Sequence, residues 1–497
     1  MGVFDGMLQG VQVAFSFEGI LFIFIGVLLG TIIGMLPGLG PITAIGVMIP
    51  ISYGMDPSIA LVMMAGVYYG AVFGGSTSSI LLNAPGIAGT VATSFDGYPM
   101  AQQGKAGKAL AIAAISSFVG GTIGVIFLMA FAPLLAKVAI VFGPAEYFIL
   151  MLLALTAITS LSDGSMVKAL IAGVLGFMVA TVGMDGQTGT ARFTFGNINL
   201  LNGIEFLVIA LGLFALAEVW FLIINRKNKA FGVDDKIGSL KLTKQDFKEM
   251  TGPMSRQSVL GFLLGVLPGA GATIASFIGY TTEKKVSKKP EEFGKGSVAG
   301  LTGPETANNA ATSGAFVPLL SLGIPGSGTT AVLLGALLVM GVNPGPLLVQ
   351  DQPTIFWGVI ASMYIGNIFL LILNLPLIPY IAKILKIPRP MLISLVIVFC
   401  LIGIYSLSFN TFDLYLLLLF GLIGYLMKVL NFPAAPFILA FILGGMMEQS
   451  LRKAMTISNG SLSIFVTKPL TLSLVVVTFL VLILPPIIRA VMNRKVA

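Results

Sequence analysis

Long apolar stretches, separated by shorter polar ones, run along the whole chain. The apolar stretches lie at about 20–53, 57–82, 109–135, 145–161, 166–184, 203–225, 257–280, 314–324, 329–349, 355–380, 391–408, 412–430, 432–447 and 470–488. Several of them approach or exceed the roughly 20 residues that a helix needs to cross a bilayer. Many are interrupted by Gly or Pro, which break helices. The pattern predicts an all-α polytopic membrane protein with about 10–13 transmembrane segments, some of them broken or re-entrant.

Two polar stretches stand out, and both carry a surplus of positive charge. Residues 226–256 hold eight Lys and Arg against four Asp and Glu, and residues 281–297 hold five against three. Positive charge marks cytoplasmic loops, so both stretches are predicted to be cytoplasmic. The apolar segment between them cannot cross once and end where it began. Its middle reads Leu-Pro-Gly-Ala-Gly at 267–271, which predicts a re-entrant helical hairpin that turns there.

The same break occurs in both halves of the chain. Gly-Met-Leu-Pro-Gly-Leu-Gly at 34–40 matches Gly-Val-Leu-Pro-Gly-Ala-Gly at 265–271, and Asn-Ala-Pro-Gly at 83–86 resembles Gly-Ile-Pro-Gly at 323–326. The offsets are 231 and 240 residues, in the same order, although Pro-Gly pairs also recur by chance in a chain with 60 Gly and 26 Pro. The chain is therefore divided into a first transmembrane repeat (1–225), a cytoplasmic basic loop (226–256) and a second transmembrane repeat (257–497).

The orientation of the two repeats follows from the charges. If the N-terminus is external and residue 226 is cytoplasmic, the two copies enter the membrane from opposite faces. This is the inverted-repeat plan of secondary transporters, whose sites lie near the midplane where broken helices meet. The C-terminus is also predicted to be cytoplasmic.

Composition narrows the class of protein further. Of the 497 residues, 56% are hydrophobic and only 10% are charged. The chain has no His, so His-dependent catalytic relays and His-ligated metal sites are excluded. Its single Cys, Cys400, cannot form an internal disulfide. The net charge of +8 is explained by cytoplasmic loops rather than by nucleic acid, and no P-loop is present. No enzyme activity, cofactor or nucleic-acid partner is expected.

Two stretches between apolar segments, 68–86 and 303–330, are too polar to face lipid. Freed backbone N–H groups at helix N-termini suit a polyanion, and carbonyl and hydroxyl oxygens suit a hard cation. The candidate substrate-binding residues are Asn83, Pro85, Gly86, Pro325, Gly326, Ser327 and Thr329. The candidates for ligating substrate or cation are Gly38, Gly40, Ser76, Thr77, Gly269, Gly271, Glu305, Asn308 and Asn309. No metal is expected other than a transported Na⁺.

Each candidate has an alternative interpretation. Small residues such as Gly74, Gly75 and Ser79 also let membrane helices pack closely. Glu305 is a cation ligand, a proton carrier or a partner of Lys295, or else a charge that stabilises a helix N-terminus just after Pro304. The sequence leaves these alternatives open.

Several motifs together resemble one known family. They are Leu-Pro-Gly-Leu-Gly-Pro at 36–41, the stretch from Tyr-Tyr-Gly to Asn-Ala-Pro-Gly at 68–86, Phe-Asp-Gly-Tyr-Pro-Met-Ala at 95–101, Phe-Gly-Lys-Gly at 293–296, Pro-Glu-Thr-Ala-Asn-Asn-Ala at 304–310 and Leu-Gly-Ile-Pro-Gly-Ser at 322–327. The chain resembles, over essentially its whole length, the large membrane subunit of the tripartite tricarboxylate transporters. It departs from many members at Ala299, where they have Glu.

The resemblance implies a secondary carrier of the bacterial cytoplasmic membrane, driven by a gradient of Na⁺ or H⁺. It implies citrate or related carboxylates as substrates, an extracytoplasmic solute-binding receptor and a small four-helix membrane subunit as partners. The remaining alternatives are a carrier of the same fold for a non-carboxylate metabolite, and a passive anion channel.

Overall fold

A computed structural model of the chain describes residues 3–36, 39–161, 165–224, 237–269, 271–386 and 389–496. The helices before residue 225 are α1 (Val3–Ala14), α2 (Phe17–Met35), α3 (Gly40–Ile51), α4 (Pro57–Leu82), α5 (Val91–Met100), α6 (Ala106–Ala139), α7 (Pro144–Leu161), α8 (Met166–Ala180), α9 (Phe206–Ala210) and α10 (Ala217–Ile224). Short 3-10 turns lie at Ala88–Thr90 and Ile198–Leu200, and π-helical turns at Ala101–Lys105 and Leu211–Leu216. Strands β1 (Gly183–Met184) and β2 (Ala191–Arg192) pair antiparallel.

The helices after residue 236 are α11 (Lys244–Val266), α12 (Gly271–Val286), α13 (Val298–Gly314), α14 (Phe316–Leu322), α15 (Gly328–Val339), α16 (Leu348–Asp351), α17 (Pro353–Asn374), α18 (Ile378–Ile381), α19 (Arg389–Ser408), α20 (Thr411–Val429), α21 (Ala434–Ile457), α22 (Ile464–Thr467) and α23 (Pro469–Val496). Further 3-10 turns lie at Pro290–Glu292 and Ala382–Lys386.

The described helices confirm an all-helical, multi-pass membrane protein. Within the described ranges, seven helical stretches are long and apolar enough to span a bilayer: Phe17–Met35, Pro57–Leu82, Ala88–Ala139, Phe206–Ile224, Pro353–Asn374, Thr411–Val429 and Ala434–Ile457. Shorter apolar helices of 10–17 residues, among them Gly40–Ile51 and Gly328–Val339, lie between them. The count of about 10–13 spans stays a prediction, because length and composition do not decide whether a short helix crosses the bilayer.

The polar stretch 226–256 is not a loop throughout. Residues 226–236 lie outside the described part of the chain, but residues 244–256 form the first half of α11. A capping box starts this helix: Thr243 accepts from the backbone N–H of Asp246, and Asp246 accepts from the backbone N–H of Thr243. Lys108 of α6 contacts the same carboxylate at 2.6 Å. Local capping, which satisfies the free N–H groups of the first turn, therefore extends the helix into a polar sequence.

Helices α11 and α12 form a helical hairpin that turns at the predicted Leu-Pro-Gly break. Away from the turn, Arg256 of α11 pairs with Glu283 of α12, with 2.5 Å between a guanidinium nitrogen and Oε2. Gln257 donates to the same carboxylate at 2.7 Å. Between these contacts and the turn, each arm has about 11 residues, or roughly 16 Å of helix. An arm of that length reaches about half the thickness of a bilayer core.

Corresponding glycines pack in the same way in the two halves. A Cβ added at Gly34 of α2 would lie 2.2 Å from the carbonyl oxygen of Ala71 in α4. A Cβ added at Gly265 of α11 would lie 2.2 Å from the carbonyl oxygen of Ala311 in α13. Both helix pairs therefore approach backbone to backbone. The two contacts are related by shifts of 231 and 240 residues, the same offsets that relate the sequence motifs.

Further glycine contacts and two helix ends are related by the same offsets. Gly74 faces the carbonyl of Thr31, and its counterpart Gly314 faces that of Phe262. Two residues in the left-handed conformation end the corresponding helices, Asn83 (φ 51°) after α4 and Gly323 (φ 68°) after α14. Gly30 of α2 contacts Val67 of α4, and Gly34 contacts Ala71, so the contact positions increase together along both helices and α2 and α4 run parallel. Helix packing in the two halves therefore follows the same offsets as the sequence motifs.

Candidate functional site

A cavity of about 830 Å³ lies where the helix breaks of both halves meet. Its wall from the first half comprises residues 39–43, Tyr68, Val72, residues 85–89 and Val91, and its wall from the second half includes Gly269, residues 271–274 and residues 327–329. Ile158, Leu213, Phe214, Ala217, Glu218, Gly424, Met427, Lys428 and residues 432–435 complete it. Residues at or directly after the four helix breaks thus line one cavity: Leu39 and Gly40, Pro85 and Gly86, Gly269 and Gly271, and Ser327.

Three helices begin at this cavity. They are α3 at Gly40, α12 at Gly271 and α15 at Gly328. Gly40 and Gly271 have φ values of 60° and 55°, a conformation that glycine adopts without a steric penalty. The first turn of α3 has no side-chain cap, although Pro41 contributes no N–H, whereas the start of α15 is capped by Ser327 and Thr330. Converging N-termini create positive potential in the cavity without requiring a cationic side chain.

Seven of the predicted residues line the cavity: Pro85, Gly86, Ser327, Thr329, Gly40, Gly269 and Gly271. The substrate-binding prediction places Asn83, Pro325 and Gly326 there too, but none of them is in the wall. Asn83 is exposed and ends α4, because its short polar side chain tolerates the left-handed conformation. Pro325 and Gly326 are buried, and the Gly326 carbonyl accepts from the Gly269 N–H at 2.8 Å. Gly38 lies outside the described residues.

Glu305 lies in a separate, fully buried polar cluster. Its carboxylate accepts hydrogen bonds from three hydroxyls: Ser76 Oγ at 2.9 Å, Ser117 Oγ at 2.7 Å, and Thr93. These donors come from α4, α6 and α5. Because α13 begins at Val298, Glu305 is in its third turn and is not an N-terminal charge after Pro304. Ser76 and Thr77 line a small void of about 10 Å³ beside Ser117 and Asn374, not the large cavity.

The amides that follow Glu305 on α13 are buried and incompletely satisfied. Both polar side-chain atoms of Asn308 and the Oδ1 of Asn309 have no hydrogen-bond partner among the described residues. Asn309 donates its Nδ2 to the Glu305 carbonyl at 2.9 Å. Asn308 lies directly behind Gly89 in the cavity wall, since a Cβ added at Gly89 would come 2.8 Å from its Oδ1. Gly89 therefore lies between the Asn308 amide and the cavity.

The structure reveals three charged residues that the sequence does not single out as site residues. Glu218 and Lys428 pair with each other in the cavity wall. Asp96 is fully buried, and its Oδ1 accepts from three backbone N–H groups, those of Gly294 at 2.9 Å, Gly296 at 2.8 Å and Ser297 at 2.7 Å. The sequence feature that points to Asp96 is its position in the Phe-Asp-Gly-Tyr-Pro-Met-Ala motif. It anchors the start of α13, the helix that carries Glu305 and Asn308.

We expect Asp96→Ala to destabilise the protein by about 3 kcal/mol or more, because three N–H groups lose their only charged acceptor. Asp96→Asn keeps an acceptor oxygen in the same place and should cost about 1 kcal/mol. Thermal denaturation of the purified protein, with loss of native size as the readout, compares the two variants. Equal melting temperatures for Asp96→Ala and the wild type would show that the carboxylate does not hold this junction.

A family model described as the tripartite tricarboxylate transporter TctA family matches residues 20–439 of this chain. The chain belongs to that family. Membership in the TctA family indicates a transporter rather than an enzyme, specifically the large membrane subunit of a tripartite system that has partner subunits.

Two relatives in Agrobacterium vitis have been recorded without an assigned function. The chain is 45% identical over 492 residues to an uncharacterized 52.8 kDa protein in the TAR-I ttuC′ 3′ region, with 99% of this chain and 98% of the relative covered. It is 49% identical over 214 residues to an uncharacterized protein in the TAR-II ttuC′ 3′ region, with 43% of this chain and 88% of that relative covered. No solved structure matches the chain.

Proposed function

We propose that this TctA family member is an ion-gradient-driven carrier that takes up a tricarboxylate or a related carboxylate across the bacterial cytoplasmic membrane. The observation that carries the proposal is the shared cavity. Breaks from both repeats form its wall, and three helices begin at it. Paired broken helices around a central site are the arrangement by which secondary transporters hold their substrates.

The chemistry of the cavity favours a polyanion. Its wall is mostly apolar, with the Thr329 hydroxyl and first-turn N–H groups at the helix starts, while the Ser327 hydroxyl is used to cap α15. Each helix N-terminus carries about half a unit of positive charge. Several such termini facing one volume suit a ligand with several carboxylates, each of which accepts N–H bonds. A volume of about 830 Å³ accommodates a molecule of the size of citrate together with water.

The polar cluster behind the cavity is the proposed site of the coupling ion, Na⁺ or H⁺. Glu305 supplies a carboxylate, and Asn308 and Asn309 supply amide oxygens that have no partner in the described structure. Buried oxygens of these kinds are ligands for Na⁺, and a buried carboxylate also carries a proton. The thin wall at Gly89 allows occupation of the cluster to influence the cavity.

The proposed orientation rests on the hairpin and on charge. Residues 244–256 and 281–286 lie at the end of the α11–α12 hairpin away from its turn, so a cytoplasmic position for one implies the same position for the other. The hairpin then re-enters the membrane from the cytoplasm, and its counterpart α2–α3 enters from the opposite face as an inverted repeat. The proposed partners are an extracytoplasmic receptor that delivers the carboxylate and a small four-helix membrane subunit.

Uptake of labelled citrate into proteoliposomes tests this function. The vesicles contain both membrane subunits, with the receptor outside and an imposed Na⁺ or H⁺ gradient. We expect accumulation above equilibrium that stops when the gradient is collapsed. Equilibration that persists without either gradient would indicate a passive anion channel. Transport of a neutral metabolite, with all carboxylates excluded, would indicate a different substrate class.

A further inference from the structure

The cavity wall contains one ion pair. Among the described lining residues, Glu218 of α10 and Lys428 of α20 are the only charged ones, and their side chains contact each other. The Glu218 side chain is 8% exposed, whereas that of Lys428 is 39% exposed. The Lys428 ammonium also lies 4.0 Å from the centre of the Phe221 ring. The cation is therefore the accessible member of the pair, and the carboxylate lies behind it.

This arrangement matters for an anionic ligand. An unmasked Glu218 would repel a carboxylate that enters the cavity, while Lys428 would attract it. An ammonium has three N–H donors, so contact with Glu218 leaves donors for a second acceptor. The aromatic face of Phe221 holds the ammonium in place without using an N–H donor. The pair therefore presents a cation to the cavity whose charge is neutralised as long as no ligand is bound.

We propose that Lys428 is the cationic contact for one carboxylate of the substrate, and that the substrate competes with Glu218 for it. The inference rests on the proposed carboxylate function and adds a specificity-determining pair to it. In the empty cavity the ammonium pairs with Glu218; in the filled cavity a substrate carboxylate takes over part of that contact. A weakly binding monovalent anion does not displace Glu218, whereas a ligand that several helix N-termini also hold does so.

A purely structural ion pair and a competing pair predict different results. In a structural pair, removing either partner leaves the other charge unpaired, and both variants change in the same direction. In a competing pair, removing the lysine weakens ligand binding, whereas removing the glutamate frees the lysine and strengthens binding. The sign of the effect of Glu218 therefore decides between them.

The experiment is calorimetric titration of the purified full-length protein in nanodiscs with citrate and other di- and tricarboxylates. We expect Lys428→Gln to weaken binding at least about tenfold, since a hydrogen bond to a charged group is lost. We expect Glu218→Gln to tighten binding severalfold. The matched control is Lys168→Gln: Lys168 donates to the Leu430 carbonyl at 2.6 Å nearby but is outside the described cavity wall. It should change the affinity less than twofold.

Weaker binding in both pair variants by a similar factor, or unchanged affinity in Lys428→Gln, would overturn the proposal. If Lys428→Gln does not fold, Glu218→Gln decides alone, because only a competing pair predicts tighter binding. A wild-type protein that binds no di- or tricarboxylate contradicts the proposed function itself. If the wild type binds a carboxylate and Lys428→Gln binds it with the same affinity, only the proposed role of the ion pair is contradicted.

Discussion

Replacing Glu305 by Gln should reduce gradient-driven uptake about a hundredfold or more while leaving the protein folded. Glutamine has the same shape and keeps an acceptor oxygen for the hydroxyls of Ser76 and Ser117, which can also rotate to accept from its amide. The variant loses the charge and the ability to carry a proton. If Glu305 holds the coupling ion, loss of that interaction removes the coupling between the gradient and transport. Initial uptake rates in proteoliposomes, with and without the gradient, measure the effect.

The matched control for this change is Glu205→Gln. Glu205 precedes α9 and is exposed, so the same chemical substitution is made at a carboxylate outside the polar cluster. Its uptake rate should remain within about twofold of the wild type. Unchanged transport and unchanged ion dependence in Glu305→Gln would exclude Glu305 from coupling. Loss of folded protein, seen as aggregation in size-exclusion chromatography, would instead assign the buried carboxylate a structural role.

Adding one methyl group at Gly265 should destabilise the second repeat by about 3 kcal/mol. The new Cβ would lie 2.2 Å from the Ala311 carbonyl oxygen, and backbone cannot move aside as a flexible side chain can. Helices α11 and α13 would have to separate by about 1 Å, which loosens their packing along the whole contact. Gly34→Ala should act alike in the first repeat, because its Cβ would meet the Ala71 carbonyl at the same distance. Yield of folded protein and thermal stability in detergent report both effects.

Gly445→Ala provides the control for these two variants. Gly445 also lies in a helix, α21, but nothing is within 4 Å of an added Cβ there. Alanine is the better helix former, so this variant should be neutral or more stable by up to about 1 kcal/mol. A wild-type melting temperature for Gly265→Ala would contradict the close backbone approach of α11 and α13. Different results for Gly34→Ala and Gly265→Ala would show that the two repeats do not pack alike.

The helix breaks and the candidate site residues differ in how much residue type alone predicts. Glycine and proline at 34–40 and 265–271 predict the helix breaks because those residues carry their conformational limits with them. The amide of Asn83 predicts substrate binding; the structure shows that Asn83 ends α4 in the left-handed conformation and lies outside the cavity wall, and its role in binding stays a prediction. Residue type alone does not show whether a residue is present for the chemistry of its side chain or for the backbone conformation that it tolerates.

The sequence by itself determined the membrane class, the helical breaks and the matching motifs with their offsets of 231 and 240 residues. These properties are local or periodic, because they depend on the length of the apolar stretches and on the positions of Gly and Pro. Only the tertiary structure decided that seven of the predicted residues share a cavity, and that Glu305 lies outside its wall among three hydroxyls. Only the structure brought Glu218 to Lys428 and Asp96 to the backbone of 294–297. Such pairs join residues about 200 positions apart, and their contact depends on helix packing rather than on any local pattern.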